Sequence, residues 1–185
     1  QSGLVLGWFH KVEKRRVMVS IGERIENTVF FEYILSDHFG STIGVNKHDA
    51  HALFNNKKIV LTGVPGAFTP TCSEWHLPDF LKKTKLIKSH GVDSIFFMAV
   101  NDPLVMAYWG EKYRIKDEVR MLGDPAAEFT KSHGLEMDLS EAGLGLRSKR
   151  FTLVLSFVEV AYCQVENSTK DYKNSSTEKL LNFLA

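Results

Sequence analysis

The chain has 185 residues, room for one domain, and its 44% hydrophobic and 24% charged composition excludes a disordered chain. Lys and Arg number 23 against 22 for Asp and Glu, a net charge of +1, which is a poor match for general binding of nucleic acid or of an anionic membrane. The longest apolar run, residues 95–100, is far too short to span a bilayer.

Residues 1–16 carry Lys11, Lys14, Arg15 and Arg16 against the single acid Glu13, with Leu4, Leu6, Trp8 and Phe9 as apolar surface. This basic extension reads as the tail of an organelle-targeting peptide or as a frayed, solvated terminus. Residues 17–185 read as one globular domain. Phe30 to Leu35 predicts a strand, residues 37–41 a turn, and His48 to Phe54 a short helix. Lys58 to Val64 is a short apolar run of the buried-strand type, broken by Pro65-Gly66. A helix is expected over residues 70–89, interrupted or kinked near Pro78. Ser94 to Val100 is a second buried strand, and Asp102 caps a helix with Pro103 in its first turn, running to Tyr113. Val119 to Leu122 predicts a strand, Asp124-Pro125 a helix start with its end near Gly134, and Gly143 to Ser148 a loop. Phe151 to Leu155 and Val158 to Val165 predict adjacent strands joined without the usual Asn/Asp-Gly turn signal. Ser175 and Glu178 form a capping box for a last helix to Phe183. Strands alternating with helices, then a strand pair, predict an α/β fold with a central mixed sheet and helices on both faces. Ligands in such sheets favour the carboxyl ends of the strands. Residues 65–72 sit there.

Two cysteines make no disulfide framework. The seven scattered histidines predict no metal site. Sequons begin at Asn167 and Asn174, but nothing else suggests secretion, and an intracellular protein is expected. Cys72 stands at a strand-to-helix junction. Thr69 is the expected N-cap, its hydroxyl accepting a backbone N–H, with Pro70 first and Cys72 third in the helix. A sulfur there faces unpaired N–H groups and the positive end of the helix dipole, which favour the nucleophilic thiolate. His76, four residues on, shares that helical face. It reads either as a base for a cysteine hydrolase or as a packed histidine with a structural hydrogen bond. Cys163, inside an apolar strand, reads as a small core residue.

Pro65-Gly-Ala-Phe-Thr69-Pro-Thr-Cys72 resembles the peroxidatic-cysteine motif of peroxiredoxins, Pro-x-x-x-Thr-x-x-Cys. With residues 100–103 (Val-Asn-Asp-Pro), Trp109, residues 138–145 and residues 147–151 (Arg-Ser-Lys-Arg-Phe), the chain from about Val17 to Ala185 is similar to the type-five, or plant type-two, peroxiredoxins. The resemblance implies a thioredoxin-like fold and a thiol-specific peroxidase that reduces hydrogen peroxide and alkyl hydroperoxides, with no cofactor and no metal. It implies that Cys72 is the peroxidatic cysteine and that Thr69 hydrogen-bonds the peroxide. It further implies that Pro65 shields the thiolate and Arg150 stabilises thiolate and peroxide oxygen, with Arg147 behind it.

Members of the family place a resolving cysteine either near the position of Phe97 or before the last helix. This chain has neither, so the sulfenic acid is expected to be resolved by an external thiol. Glutathione with glutaredoxin, or thioredoxin, would supply it. The distance between Cys72 and Cys163 is left open by the strand arithmetic. The resemblance also implies a homodimer, with Phe68 and Trp109 as apolar contacts or else as core residues, and a cytoplasmic or organellar location. The other class of function in view is a redox-sensing binding or chaperone protein that retains the site.

Overall fold

The structure, a computed structural model, describes residues 17–35 and 42–185. The basic extension 1–16 and the turn expected at 37–41 lie outside the described residues. In chain order the elements are β1 (Val29–Leu35), β2 (Thr42–Asp49), α1 (Ala50–Phe54), β3 (Lys58–Gly63), a π-helical turn (Cys72–His76), α2 (Leu77–Ser89) and β4 (Ser94–Ala99). There follow α3 (Pro103–Lys112), β5 (Arg120–Gly123), α4 (Glu128–Ser132), β6 (Glu136–Leu139), β7 (Gly145–Ser148), β8 (Phe151–Ser156), β9 (Glu159–Val165) and α5 (Thr177–Leu184).

Seven strands form one mixed sheet in the order β2-β1-β5-β4-β3-β8-β9. The central β3, β4 and β5 are parallel, and the outer strands run antiparallel to their neighbours. Alternation along the central strands sends side chains to two separate cores. Ile59, Leu61, Phe96 and Met98 pack with α1 and α4 on one face, through Leu53, Phe54 and Phe129. Val60, Ile95 and Phe97 pack with α2, α3 and α5 on the other, through Phe80, Trp109 and Leu180. Both faces are covered, which is why these strands read as continuous apolar runs. Truncating a fully buried ring such as Phe97 would cost about 3–5 kcal/mol. No helix among the described residues is long and apolar enough to cross a membrane.

Several expectations need correction. The helix expected from His48 begins only at Ala50, because residues 42–49 pair with β1 as a polar edge strand. The helix expected from Asp124 begins at Glu128, with the Asp124 carboxylate accepting the N–H groups of Phe129 and Thr130. The expected loop 143–148 supplies β7, half of a two-stranded ribbon with β6. The last helix is capped by Ser176 rather than Ser175, whose own hydroxyl donates to Glu166. The interruption expected near Pro78 is present as a π turn rather than a kink: Pro78 follows that turn, and the Ser73 carbonyl, which a proline nitrogen five residues on cannot satisfy, accepts the Tyr113 hydroxyl instead.

The β8–β9 hairpin turns through Phe157 and Val158, with φ of 52° and 67°. Such a turn suits Asn-Gly, and a β-branched residue there is strained. Phe157 is exposed whereas Val158 is buried in the core. Phe157→Asn should therefore raise stability by about 1 kcal/mol, or about 2–4 °C in Tm. Val158→Gly should lower it, because a buried side chain is lost. Thermal melts of both variants check the pair of signs.

Candidate active site

The parallel strand β3 ends at Gly63, where a Cβ would lie 2.1 Å from the Phe151 ring, so only glycine admits that close approach. The chain then crosses the strand ends as a loop. Val64 N–H donates to Met98 at 3.0 Å, and Ala67 N–H to the Asn101 side chain at 3.0 Å. Pro65 is buried. Phe68 adopts a left-handed φ of 63°, and Thr69 turns the chain into the helix. The Ser73 N–H bonds the Thr69 carbonyl at 3.0 Å as the first helical bond, which puts Thr69 at the expected cap. Its hydroxyl departs from expectation: it donates to the Gly66 carbonyl at 2.7 Å and accepts no backbone N–H there. Cys72 follows in the first turn with only 1% of its surface exposed.

Arg150 enters from the start of β8 on the neighbouring strand and is 1% exposed. Its Nη2 donates to Cys72 Sγ at 3.4 Å and to the Thr169 carbonyl at 3.0 Å. Its Nε donates to the Asp171 carbonyl at 3.0 Å, and its Nη1 lies 2.9 Å from His76 Nδ1. Four of its five N–H donors are so accounted for. Among the described residues no carboxylate forms an ion pair with it.

The proton positions on His76 follow from its partners. Thr62 Oγ1 donates its one proton to the Phe151 carbonyl at 2.7 Å, so it accepts from His76 Nε2 at 3.0 Å. Nδ1 then carries the lone pair that receives Arg150. Burial, and secondly the charge of Arg150, push the His76 pKa well below its ordinary value. A neutral ring with both nitrogens committed cannot take a proton from Cys72. Of the two readings of His76, the packed histidine with structural hydrogen bonds is the one present, a buried acceptor that orients Arg150, and the hydrolase reading loses its base.

Of the remaining expected residues, Arg147 reaches the loop rather than the sulfur. Its Nη1 donates to the Pro65 carbonyl at 3.3 Å and its Nε to the Leu144 carbonyl at 2.7 Å. Phe68 is exposed. Trp109 is fully buried, donating from its indole to Ser73 Oγ at 3.0 Å, so it belongs to the core and to the support of the helix start, not to an interface. Cys163 points to the opposite face of the sheet from Cys72. It packs against the core under α1 and α4, donates to the Val19 carbonyl at 3.4 Å, and its pKa is pushed up by burial. The segment 166–176, with Thr169, Asp171 and Tyr172, was invisible to pattern reading. Its two carbonyls on Arg150 are backbone atoms, which no side-chain motif records.

The Redoxin family matches residues 41–181. Peroxiredoxin-2D and Peroxiredoxin-2B of Arabidopsis thaliana are 45% and 46% identical over 134 residues, covering 72% of this chain and 82% of each of those proteins. The crystal structure of reduced Prx3 in complex with H2O2 from Vibrio vulnificus is similar with a TM-score of 0.82, at 39% identity over 91% of this chain and 100% of that one. The Plasmodium falciparum antioxidant protein (1-Cys peroxiredoxin) is similar with a TM-score of 0.82, at 29% identity over 88% and 98% of the two chains. A thioredoxin-like fold with these relatives defines a thiol-dependent peroxidase, an oxidoreductase that takes a peroxide substrate and a thiol reductant. The chain belongs to the redoxin family, and within it to the peroxiredoxins of the plant type-two kind. These relatives do not favour a redox-sensing chaperone.

The neutral His76 sets a pH dependence. Its folded pKa is lowered, so the unfolded chain binds the proton first. The stability it contributes is present above pH about 6.5 and is lost as pH falls below it. His133 adds in the same direction through burial, its Nε2 accepting the Glu26 N–H at 3.0 Å. Unfolding free energy should drop toward pH 5 by about 1.4 kcal/mol per pH unit for each proton taken up. In His76→Asn the slope should fall by up to one proton. Denaturant titrations at several pH values measure it.

Proposed function

We propose that Cys72 is the peroxidatic cysteine, with Arg150, Thr69 and Pro65 completing the site. The observation that carries this reading is the buried guanidinium 3.4 Å from Cys72 Sγ, with no carboxylate partner among the described residues. A buried cation needs a counter-charge, and the thiolate of Cys72 supplies it. The same cation then serves the reaction. The thiolate attacks one oxygen of the peroxide, an S–O bond forms and the O–O bond breaks. The electron pair leaves on the second oxygen as hydroxide or alkoxide, which takes a proton to become water or an alcohol. Donors fixed in advance at that developing charge lower the barrier most. Arg150 has one Nη1 proton left for it. The Thr69 hydroxyl, whose proton is spent on Gly66, receives the peroxide O–H. Pro65, buried and without an N–H, keeps water from the sulfur.

The resulting sulfenic acid condenses with a thiol to a mixed disulfide and water, and a second thiol restores Cys72. Cys163, on the far face of the sheet, does not take that part. We read glutathione followed by glutaredoxin as the route, with thioredoxin as the competitor. The exposed Phe68 beside the site supports a homodimer joined near this end of the molecule. A cytosolic or organellar location fits the basic residues 1–16, and the relatives include Peroxiredoxin-2E, chloroplastic, and Peroxiredoxin-2F, mitochondrial.

Cys72→Ser should keep its fold and lose all turnover with hydrogen peroxide, whereas Cys163→Ser should retain it. Arg150→Met should slow oxidation of Cys72 by about 10²–10³. Stopped-flow oxidation and steady-state turnover with each reductant check these. A change of less than about threefold in Arg150→Met removes that residue from the site.

A further inference from the structure

The segment joining β9 to α5, residues 166–176, contains no helix or strand, yet it supplies two of the acceptors that hold Arg150: the carbonyls of Thr169 and Asp171, both at 3.0 Å. An irregular strap places its carbonyls accurately only where side chains tie it down. One tie is at its base, where Glu166 Oε1 accepts the N–H groups of Lys173 and Ser175. A second is Thr152 on β8, whose Oγ1 donates to the Ser175 carbonyl at 2.8 Å, and a third is Tyr172, the residue after Asp171. Its ring lies against His76 with centroids 4.6 Å apart. Its hydroxyl donates to Asp79 Oδ2 on α2 at 2.7 Å and accepts the Thr177 N–H at the start of α5 at 3.3 Å. Asp79 is itself held by Lys83 at 2.9 Å.

Tyr172 therefore stands between two of the groups that grip the guanidinium. It directly follows Asp171, whose carbonyl accepts from Nε, and its ring lies against the imidazole that accepts from Nη1. We propose that Tyr172 is a positioning residue for Arg150, its ring pressing on His76 and its Asp79-anchored hydroxyl holding the strap, so that the guanidinium stays aimed at the Cys72 sulfur and the peroxide. The proposal rests on the peroxidase reading of Cys72 and Arg150. Loss of the ring opens space beside His76 and frees the strap tip. The guanidinium then turns about its terminal torsions, and displacements on the ångström scale weigh heavily on a reaction that depends on donor alignment.

The test separates peroxide chemistry from mere access to the thiol. In a Cys163→Ser background, the second-order rate of Cys72 with hydrogen peroxide is compared with its rate of alkylation by iodoacetamide at one pH. Alkylation needs the sulfur nucleophile but no donor at a leaving oxygen. Tyr172→Ala should slow the peroxide reaction by about 10–100-fold and alkylation by less than about threefold. Tyr172→Phe, which keeps the ring on His76 but loses the hydroxyl bond to Asp79, should slow the peroxide reaction by only about 3–10-fold. Asp79→Ala should show the same selective loss at about 3–10-fold, and it carries the test if Tyr172→Ala shows no cooperative melt. An unchanged peroxide rate in the folded variants, or equal falls in both rates, overturns the positioning role. A parent protein inert to peroxide overturns the peroxidase reading instead, and one that stays as fast when Arg150→Met is made removes Arg150 from the site.

Discussion

A guanidinium shut away from water, with no carboxylate beside it among the described residues, places a demand on everything around it. Desolvating such a charge costs several kcal/mol unless hydrogen bonds and an anion replace the water. Around Arg150 the replacement is assembled from distant parts of the chain: two carbonyls of the strap after β9, an imidazole from the π turn before α2, and the sulfur that begins that turn. Each of these partners is fixed in turn by something else. His76 is locked in one tautomer by Thr62 on β3, and the helix start is propped from α3 by Trp109 and Tyr113. The fold around this end of the sheet can be understood as the set of contacts that keeps one cation against one sulfur.

That arrangement also explains the local irregularities. The π turn over Cys72–His76 widens the first turn of the helix just where the cysteine and the histidine must both reach Arg150. Single-turn π bulges of this kind recur at functional sites. The left-handed φ at Phe68 stores strain in the loop that carries Pro65 and Thr69. Such strain persists only where the surroundings over-determine the backbone. Here they do, through Asn101, Gly66 and Arg147. The two-sided core serves the same end. Phe80, Phe97 and Tyr172 surround His76 with aromatic surface and keep its ring neutral.

The α/β class and two of its central strands were legible because burial on both faces leaves continuous apolar runs at Lys58 and Ser94. Cys72 was legible because Thr69 and Pro70 announce a helix start by their own conformational preferences. Arg150 was not, since nothing local sets it apart from other arginines; only its match to a known motif pointed to it. The polar edge strand β2 and the β6–β7 ribbon escaped notice because their residues carry no strong alternation.

What the amino-acid order determined by itself was local: which runs are buried, that helices follow them, and which cysteine stands at a helix N-terminus. The tertiary structure decided the rest. It placed Cys163 on the opposite face of the sheet from Cys72, sent Trp109 inward, and turned His76 from a possible base into a committed acceptor. The physical reason is that side-chain facing, proton position and counter-charge depend on partners tens of residues away. Arg150 meets Cys72 across 78 positions and His76 across 74. Backbone carbonyls such as those of Thr169 and Asp171 leave no trace in side-chain identity, so their part in the site exists only once the chain has folded.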